Sequence, residues 1–233
     1  MTLAAAGLRG LFVTGTDTGA GKSVVAAACC AALAADGERV AAFKPAVTGT
    51  DEPPETGWPP DHELLASVAT AGQAPDEISP HRFGPPVSPH YATELAGLPP
   101  LEPSELVASA RAEAERGDLL VCEGVGGLMV PLTPGYLVRD LAVDLGLPVV
   151  VAARTGLGTI GHSLMTLECA RAAGLRVSAL VMTPWPAEPG GIERSNRETV
   201  ERLGGVPVAT LPETSPTDIG IAARALPVGD WLG

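Results

Sequence analysis

The chain has 233 residues, enough for one large domain or two small ones at roughly 150 residues per domain. Apolar residues make up 45% and charged residues 18%, which excludes an intrinsically disordered chain, and 3% aromatics supply almost no stacking surface for single-stranded nucleic acid. A formal net charge of −12 repels phosphate backbones and anionic membrane surfaces alike, so neither nucleic acid nor membrane is an expected partner.

In chain order, MTLAAAGLRG carries no basic leader, and no later stretch reaches the roughly 18 uninterrupted apolar residues of a membrane span. With Cys29, Cys30, Cys122 and Cys169 free of any C-x-x-C spacing, the expectation is a cytoplasmic protein with reduced thiols that pack rather than react. A strand is predicted at Leu11–Thr14, then a glycine loop, then a helix at Lys22–Ala35 that Gly37 ends. A second strand follows at Arg39–Phe43, a Pro-rich acidic loop at Thr50–Pro60, a helix at Glu63–Ala71 and another loop at Ser79–Pro89. The spacing then predicts a helix at Ser104–Glu115, strands at Leu119–Cys122 and Pro148–Ala152, a helix at Ile160–Ala173, and strands at Val177–Met182 and Val206–Thr210. The strands are apolar throughout without strict alternation, as strands covered on both faces are, and the helices between them supply parallel crossovers. The fold class is therefore α/β. Neither loop contrasts enough with its surroundings to be a linker, and there is no internal repeat, so residues 1–233 read as a single domain.

The strongest local signal is Gly15-Thr16-Asp17-Thr18-Gly19-Ala20-Gly21-Lys22-Ser23, placed between a strand and a helix. Such a loop aims successive backbone N–H groups and a helix N-terminus at phosphate oxygens, while the lysine neutralises the outer phosphates and the serine hydroxyl ligates Mg²⁺. The usual pattern is G-x-x-x-x-G-K-[ST], and Thr16 stands where its first glycine belongs. The bland alternative is a glycine-rich turn with a chance Gly-Lys-Ser. Lys44 follows a strand and precedes Pro45, so it emerges at the carboxyl edge of the sheet, where open α/β folds bind ligands, unless it is a solvated strand-end lysine. Glu123 ends LLVC before Gly124-Val125-Gly126-Gly127 and suits a Mg²⁺-holding carboxylate or a surface acid before a flexible loop. Asp61 reads equally as a helix N-cap or a metal ligand.

Together, GTDTGAGKS, Lys44-Pro45-Ala46-Val47-Thr48-Gly49, Ser88-Pro89-His90 and Glu123-Gly124-Val125-Gly126-Gly127 occur in the order and spacing of the dethiobiotin synthetases, which the chain resembles over nearly its whole length. The combination of the loop with Lys-Pro-x-x-Thr-Gly is the specific part, and Thr16 in place of the first glycine is what that family shows. The resemblance implies a phosphate-loop NTPase-like parallel sheet flanked by helices on both faces. It also implies an ATP- and Mg²⁺-dependent cyclo-ligase that turns 7,8-diaminononanoate and CO₂ into dethiobiotin through a carbamate and a carbamic-phosphoric anhydride. By the same resemblance Gly19, Ala20, Gly21, Lys22, Ser23 and Val24 wrap the triphosphate, Ser23, Asp61 and Glu123 hold the metal, and Lys44 with Lys22 is catalytic. Glu123, Gly124, Val125 and Gly126 line the nucleotide, and Pro212, Glu213 and Thr214 form a loop against the base. Thr18 borders the substrate amines and Thr48 stands for a substrate-binding hydroxyl. The family's homodimer holds the substrate carboxylate with backbone groups of the neighbouring chain, here the segment Gly156-Leu157-Gly158-Thr159-Ile160.

Two departures accompany it. Thr183 and Pro184 replace an Asn-Asp pair that reads adenine, which leaves other nucleoside triphosphates open as substrates, and Asn196 stands where some members use a tyrosine near the substrate tail. A rival reading is an ATP-driven switch of the partitioning and division-site type, but such loops carry a second lysine where this chain has Asp17 and Thr18. A non-catalytic nucleotide-binding module is a further alternative.

Overall fold

The computed structural model describes residues 7–53 and 57–232. The first half of the chain forms β1 (Gly10–Gly15), α1 (Lys22–Ala35), β2 (Val40–Phe43), β3 (Val47–Thr48), α2 (Asp61–Val68), α3 (Pro75–Ile78), β4 (Arg82–Phe83), α4 (Pro89–Leu95) and α5 (Pro103–Ala114). The second half forms β5 (Leu119–Gly127), β6 (Pro131–Thr133), β7 (Tyr136–Leu137), α6 (Val138–Leu145), β8 (Val149–Ala153), α7 (Thr159–Ala172), β9 (Val177–Trp185), α8 (Gly191–Gly204), β10 (Val208–Pro212) and α9 (Ile219–Ala222). Short 3₁₀ turns close the described chain at Ala223–Ala225 and Val228–Trp231.

One six-stranded sheet runs in the order β10-β9-β8-β1-β5-β2, and every neighbouring pair in it is parallel. It contains all six strands expected from the sequence. Both of its faces are buried, which is why the strands are apolar in every position rather than in alternate ones. Phe12, Phe43, Leu120, Val151 and Leu180 point into one core with α5, α6, α7 and α8, while Leu11, Val13, Val121, Val150 and Val181 point into the other with α1, α2 and α9. The run Ala26 to Cys30 of α1 is wholly buried, and its small side chains let the helix lie close over the strands. Burial pushes the Cys29 thiol up to about 12, so it stays protonated and serves as packing. Among the described residues no helix is long and apolar enough to cross a membrane.

The differences from expectation fall where tertiary packing outweighs local pattern. Strand β5 continues through Glu123 to Gly127, so Glu123 lies inside the sheet and not at the end of a strand before a flexible loop. Likewise β9 extends to Trp185 and carries Thr183 and Pro184, joined by a cis peptide bond, on its last turns of chain. Helix α2 starts at Asp61, two residues before the predicted start, and its N-cap is Pro60, so Asp61 is not the cap. The predicted loop Ser79–Pro89 holds β4 and the first residue of α4; residues 54–56 of the loop Thr50–Pro60 lie outside the described residues. No prediction was made for α8, whose buried face is only Asn196, Val200 and Gly204, too thin an apolar stripe to read.

Close backbone approach fixes one glycine firmly. Gly10 has φ 145°, and a Cβ there would stand 1.8 Å from the Leu120 carbonyl oxygen of the neighbouring strand. Gly10→Ala is expected to destabilise the protein by about 3 kcal/mol, lowering Tm by roughly 6–12 °C in thermal denaturation.

Candidate active site

The six strands all end at one edge, and the loops above β1, β2, β5, β8, β9 and β10 enclose a cavity of about 960 Å³. Its floor is the glycine loop. Gly19 and Gly21 adopt φ 71° and 82°, a left-handed conformation that glycine takes without strain. A Cβ on Gly21 would come within 2.5 Å of the Thr183 methyl group, so β9 presses directly on the loop. Among the described residues no backbone or side-chain acceptor takes the N–H groups of Gly19 to Val24. Six consecutive donors at a helix N-terminus are therefore free for an anion.

Beside the cradle lies a group of charges, of which Lys22, Lys44 and Glu123 are buried and Asp61 is partly exposed. Phe43 of β2 pairs with Cys122 of β5, and this register brings the next residues, Lys44 and Glu123, side by side. Lys44 Nζ donates to Glu123 Oε1 at 2.5 Å and reaches Asp61 Oδ2 at 3.0 Å, at the start of α2. The Ser23 hydroxyl donates to the same Glu123 oxygen at 2.8 Å, and Lys22 Nζ donates to the Asp17 carbonyl at 3.0 Å. Burial alone would pull Lys44 down, but the carboxylates of Asp61 and Glu123 outweigh it and hold the ammonium above its usual value. Burial, reinforced by the Lys44 charge, draws Lys22 below its usual value, while Asp61 is pulled down by Lys44 against the effect of its own burial. Burial pushes Glu123 up, with Lys44 opposing.

Glu123 has no solvent exposure, and among the described residues its Oε2 has no hydrogen-bond partner. A buried carboxylate oxygen left bare is costly. A hydroxyl and two carboxylates, all hard oxygen donors, suit Mg²⁺, so Ser23, Asp61 and Glu123 fit that ion by their chemistry.

Of the residues singled out from the sequence, Thr18, Gly19, Gly21, Lys22, Ser23, Val24, Lys44, Thr48 and Asp61 line the cavity. So do Val125, Gly126, Thr183, Pro184, Pro212, Glu213 and Thr214, the last five at the end away from Lys44 along β9 and β10. Ala20, Glu123 and Gly124 lie buried beneath it. Gly158, Thr159 and Ile160 at the start of α7 are not brought to the cavity within this chain, although Thr155 and Gly156 are. Asn196 is buried and donates through Nδ2 to the Thr155 and Gly156 carbonyls at 2.9 and 3.1 Å, tying down that loop instead of facing the cavity. Sequence reading missed Trp58, Glu52 and Arg154 in the lining. The position of Arg154 just past a predicted strand, the criterion that picked out Lys44, could have found it.

Fold and cradle together define a phosphate-loop nucleotide-binding protein. A family model described as an AAA domain matches residues 9–218. The chain is 40% identical to the ATP-dependent dethiobiotin synthetase BioD of Anaeromyxobacter dehalogenans strain 2CP-1, over 97% of this chain and 98% of that protein. It is also 40% identical to the protein of that name from Mycobacterium sp. strain KMS, over 95% and 97% of the two chains. The chain belongs to the ATP-dependent dethiobiotin synthetase family. Among solved structures it resembles a ParA family ATPase from Chlorobium tepidum TLS, with TM-score 0.55 and 12% identity over 93% of this chain and 91% of that one. The MinC:MinD cell division complex of Aquifex aeolicus gives the same score and identity over 96% and 88%. At that identity the likeness is one of fold alone.

Removing one member of the buried charge group leaves the other uncompensated, at about 3–5 kcal/mol. Lys44→Ala is therefore expected to lower Tm by roughly 6–20 °C, and Lys44→Ala combined with Glu123→Gln to recover more than half of that loss while turnover stays absent. Calorimetric melting of both variants with a parallel turnover assay checks the pair.

Proposed function

We propose that the chain, acting as one catalytic domain, closes the ureido ring of dethiobiotin from 7,8-diaminononanoate, CO₂ and ATP. The observation that carries this reading is Lys44, held between Glu123 and Asp61 at the rim of a cavity whose floor is six free N–H groups. That arrangement puts two ammonium groups, Lys44 and Lys22, around the place where a triphosphate and a second anion must meet. An amine of the substrate captures CO₂ as a carbamate, whose oxygen attacks the γ-phosphorus and displaces ADP. The second amine then attacks the carbonyl carbon of the resulting anhydride and expels phosphate. Phosphoryl transfer depends mainly on positioning and electrostatics, and both reactants here are anions. Lys44 lowers their mutual repulsion, and its flanking carboxylates keep it charged and in place. Thr18 and Thr48 supply hydroxyls toward the amines. Mg²⁺ held by Ser23, Asp61 and Glu123 would neutralise phosphate oxygens when bound.

The other end of the cavity offers few backbone donors beside the side chains of Thr183, Glu213 and Thr214. Pro184 has no N–H, and the Glu213 N–H donates to the Trp185 carbonyl at 3.2 Å, so neither offers a free backbone donor to a base edge. A site without committed polar groups has little means of rejecting other bases. Dethiobiotin formation from diaminononanoate and bicarbonate is expected with ATP, and kcat/KM for CTP, GTP and UTP is expected within about a hundredfold of ATP. Product analysis by mass spectrometry with each nucleotide tests both statements; absence of dethiobiotin with every nucleotide would overturn the function, and a far larger preference for ATP only the loose base site.

The same reading includes a homodimer in which the Gly156–Ile160 segment of one subunit receives the substrate carboxylate of the other. Leu157 is 98% exposed, Met165 of α7 64%, and Met129 57%, with Met129 Sδ only 3.4 Å from Cys169 Sγ of α7. Apolar surface of this kind around α7 suits a covering subunit. Leu157→Glu is expected to yield a monomer by light scattering and to raise KM for the diamine about tenfold or more, leaving nucleotide affinity unchanged.

A further inference from the structure

Arg154 follows β8 directly and lines the cavity, yet the ring-closure reading assigns it nothing. Its guanidinium lies against the carbonyls of the glycine loop. Nη2 donates to the Thr18 carbonyl at 2.8 Å and Nε to the Gly19 carbonyl at 3.4 Å, while the Asp17 carboxylate stands 3.8 Å away. The Asp17 carboxylate also accepts the Thr18 N–H at 2.7 Å, and the Asp17 carbonyl accepts from Lys22 at 3.0 Å. Three consecutive carbonyls, of Asp17, Thr18 and Gly19, are thus each held by a cationic side chain. Gly19 has φ 71°, a left-handed conformation that glycine takes without strain, and a Cβ there would stand 3.3 Å from Nη2.

A peptide unit is rigid and its C=O and N–H point in opposite directions. Holding the Thr18 and Gly19 carbonyls toward the guanidinium therefore turns the N–H groups of Gly19 and Ala20 away from it. Those are the first two of the free donors in the cradle. Lys22 must turn part of its hydrogen-bonding capacity to a bound phosphate, whereas Arg154 approaches from β8 and can keep its two bonds throughout. A guanidinium fork suits the task because it offers several donors in one plane, and an ammonium is a single point. The Arg154 side chain is 59% exposed, so its own burial adds little to folding stability.

We propose that Arg154 is a positioning residue that presets the glycine loop in its phosphate-accepting conformation before nucleotide arrives. The effect is preorganisation: with the donors already aligned, binding does not have to order the loop. The inference rests on the nucleotide reading of the cradle, and its consequences are confined to the nucleotide. Arg154→Met keeps the length of the side chain and removes the donors. Arg154→Lys keeps the charge and cannot span two carbonyls.

The test is titration calorimetry of ADP with magnesium on wild type and both variants, together with steady-state kinetics and unliganded Tm. Arg154→Met is expected to weaken ADP about tenfold and raise KM for ATP to a similar degree, with KM for the diamine within about twofold and unliganded Tm within about 2 °C. Arg154→Lys is expected to regain only a small part of the affinity. Wild-type ADP affinity in Arg154→Met, or full recovery in Arg154→Lys, would overturn the proposal while leaving the nucleotide reading intact. Absence of ADP binding by wild type would overturn both.

Discussion

A carboxylate with no exposure, inside a parallel sheet, is the constraint around which the rest of this protein is arranged. An unpaired Glu123 would be untenable there, and three elements converge to make it tolerable: Lys44 from the neighbouring strand, Ser23 from the helix after the glycine loop, and through Lys44 the aspartate that opens α2. Each arrives by a different route. Strand register places Lys44, the β1–α1 crossover places Ser23, and the packing of α2 on α1 places Asp61. Among the described residues, the second oxygen of Glu123 is left without a hydrogen-bond partner. Charges held this way contribute little net stability, because desolvation offsets most of their attraction. Their value is in fixing a cationic nitrogen at one place in a cavity.

The glycine loop shows the complementary economy. Its donors are useful because no acceptor among the described residues takes them, and they stay aligned because its carbonyls are engaged by Lys22 and Arg154. Two positive-φ glycines allow the turn, and the absence of a Cβ lets Thr183 and Arg154 come against it. Polar chemistry is therefore concentrated at the triphosphate end. The other end is lined by Pro184 and Pro212, which have no N–H, and by Thr183, Glu213 and Thr214, with the Glu213 N–H already bonded to the Trp185 carbonyl. The ParA family ATPase and the MinC:MinD complex share the fold at 12% identity, and fold alone does not fix a function. The motif beginning at Lys44 and the similarity over nearly the full length of the dethiobiotin synthetases assign the family.

The sequence by itself determined the layered α/β fold and the phosphate cradle. Both depend on local signals: uninterrupted apolar runs for strands covered on two faces, and glycine, lysine and serine at fixed offsets before a helix. Helix α1 was legible to the residue for that reason. Helix α8 was not, since an asparagine, a valine and a glycine form its buried face, and only packing against α7 reveals them as such. The tertiary structure alone decided what the isolated charges do. Glu123 and Asp61 each had two readings from sequence, and strand register together with the start of α2 excludes the surface acid and the helix cap, because Lys44 meets Glu123, 79 residues away, and Asp61, 17 residues away, only in the folded chain. Arg154 and Asn196 likewise make contacts set by three-dimensional proximity and absent from any local pattern: the first donates to the Thr18 carbonyl of the glycine loop and the second to the Thr155 carbonyl before α7.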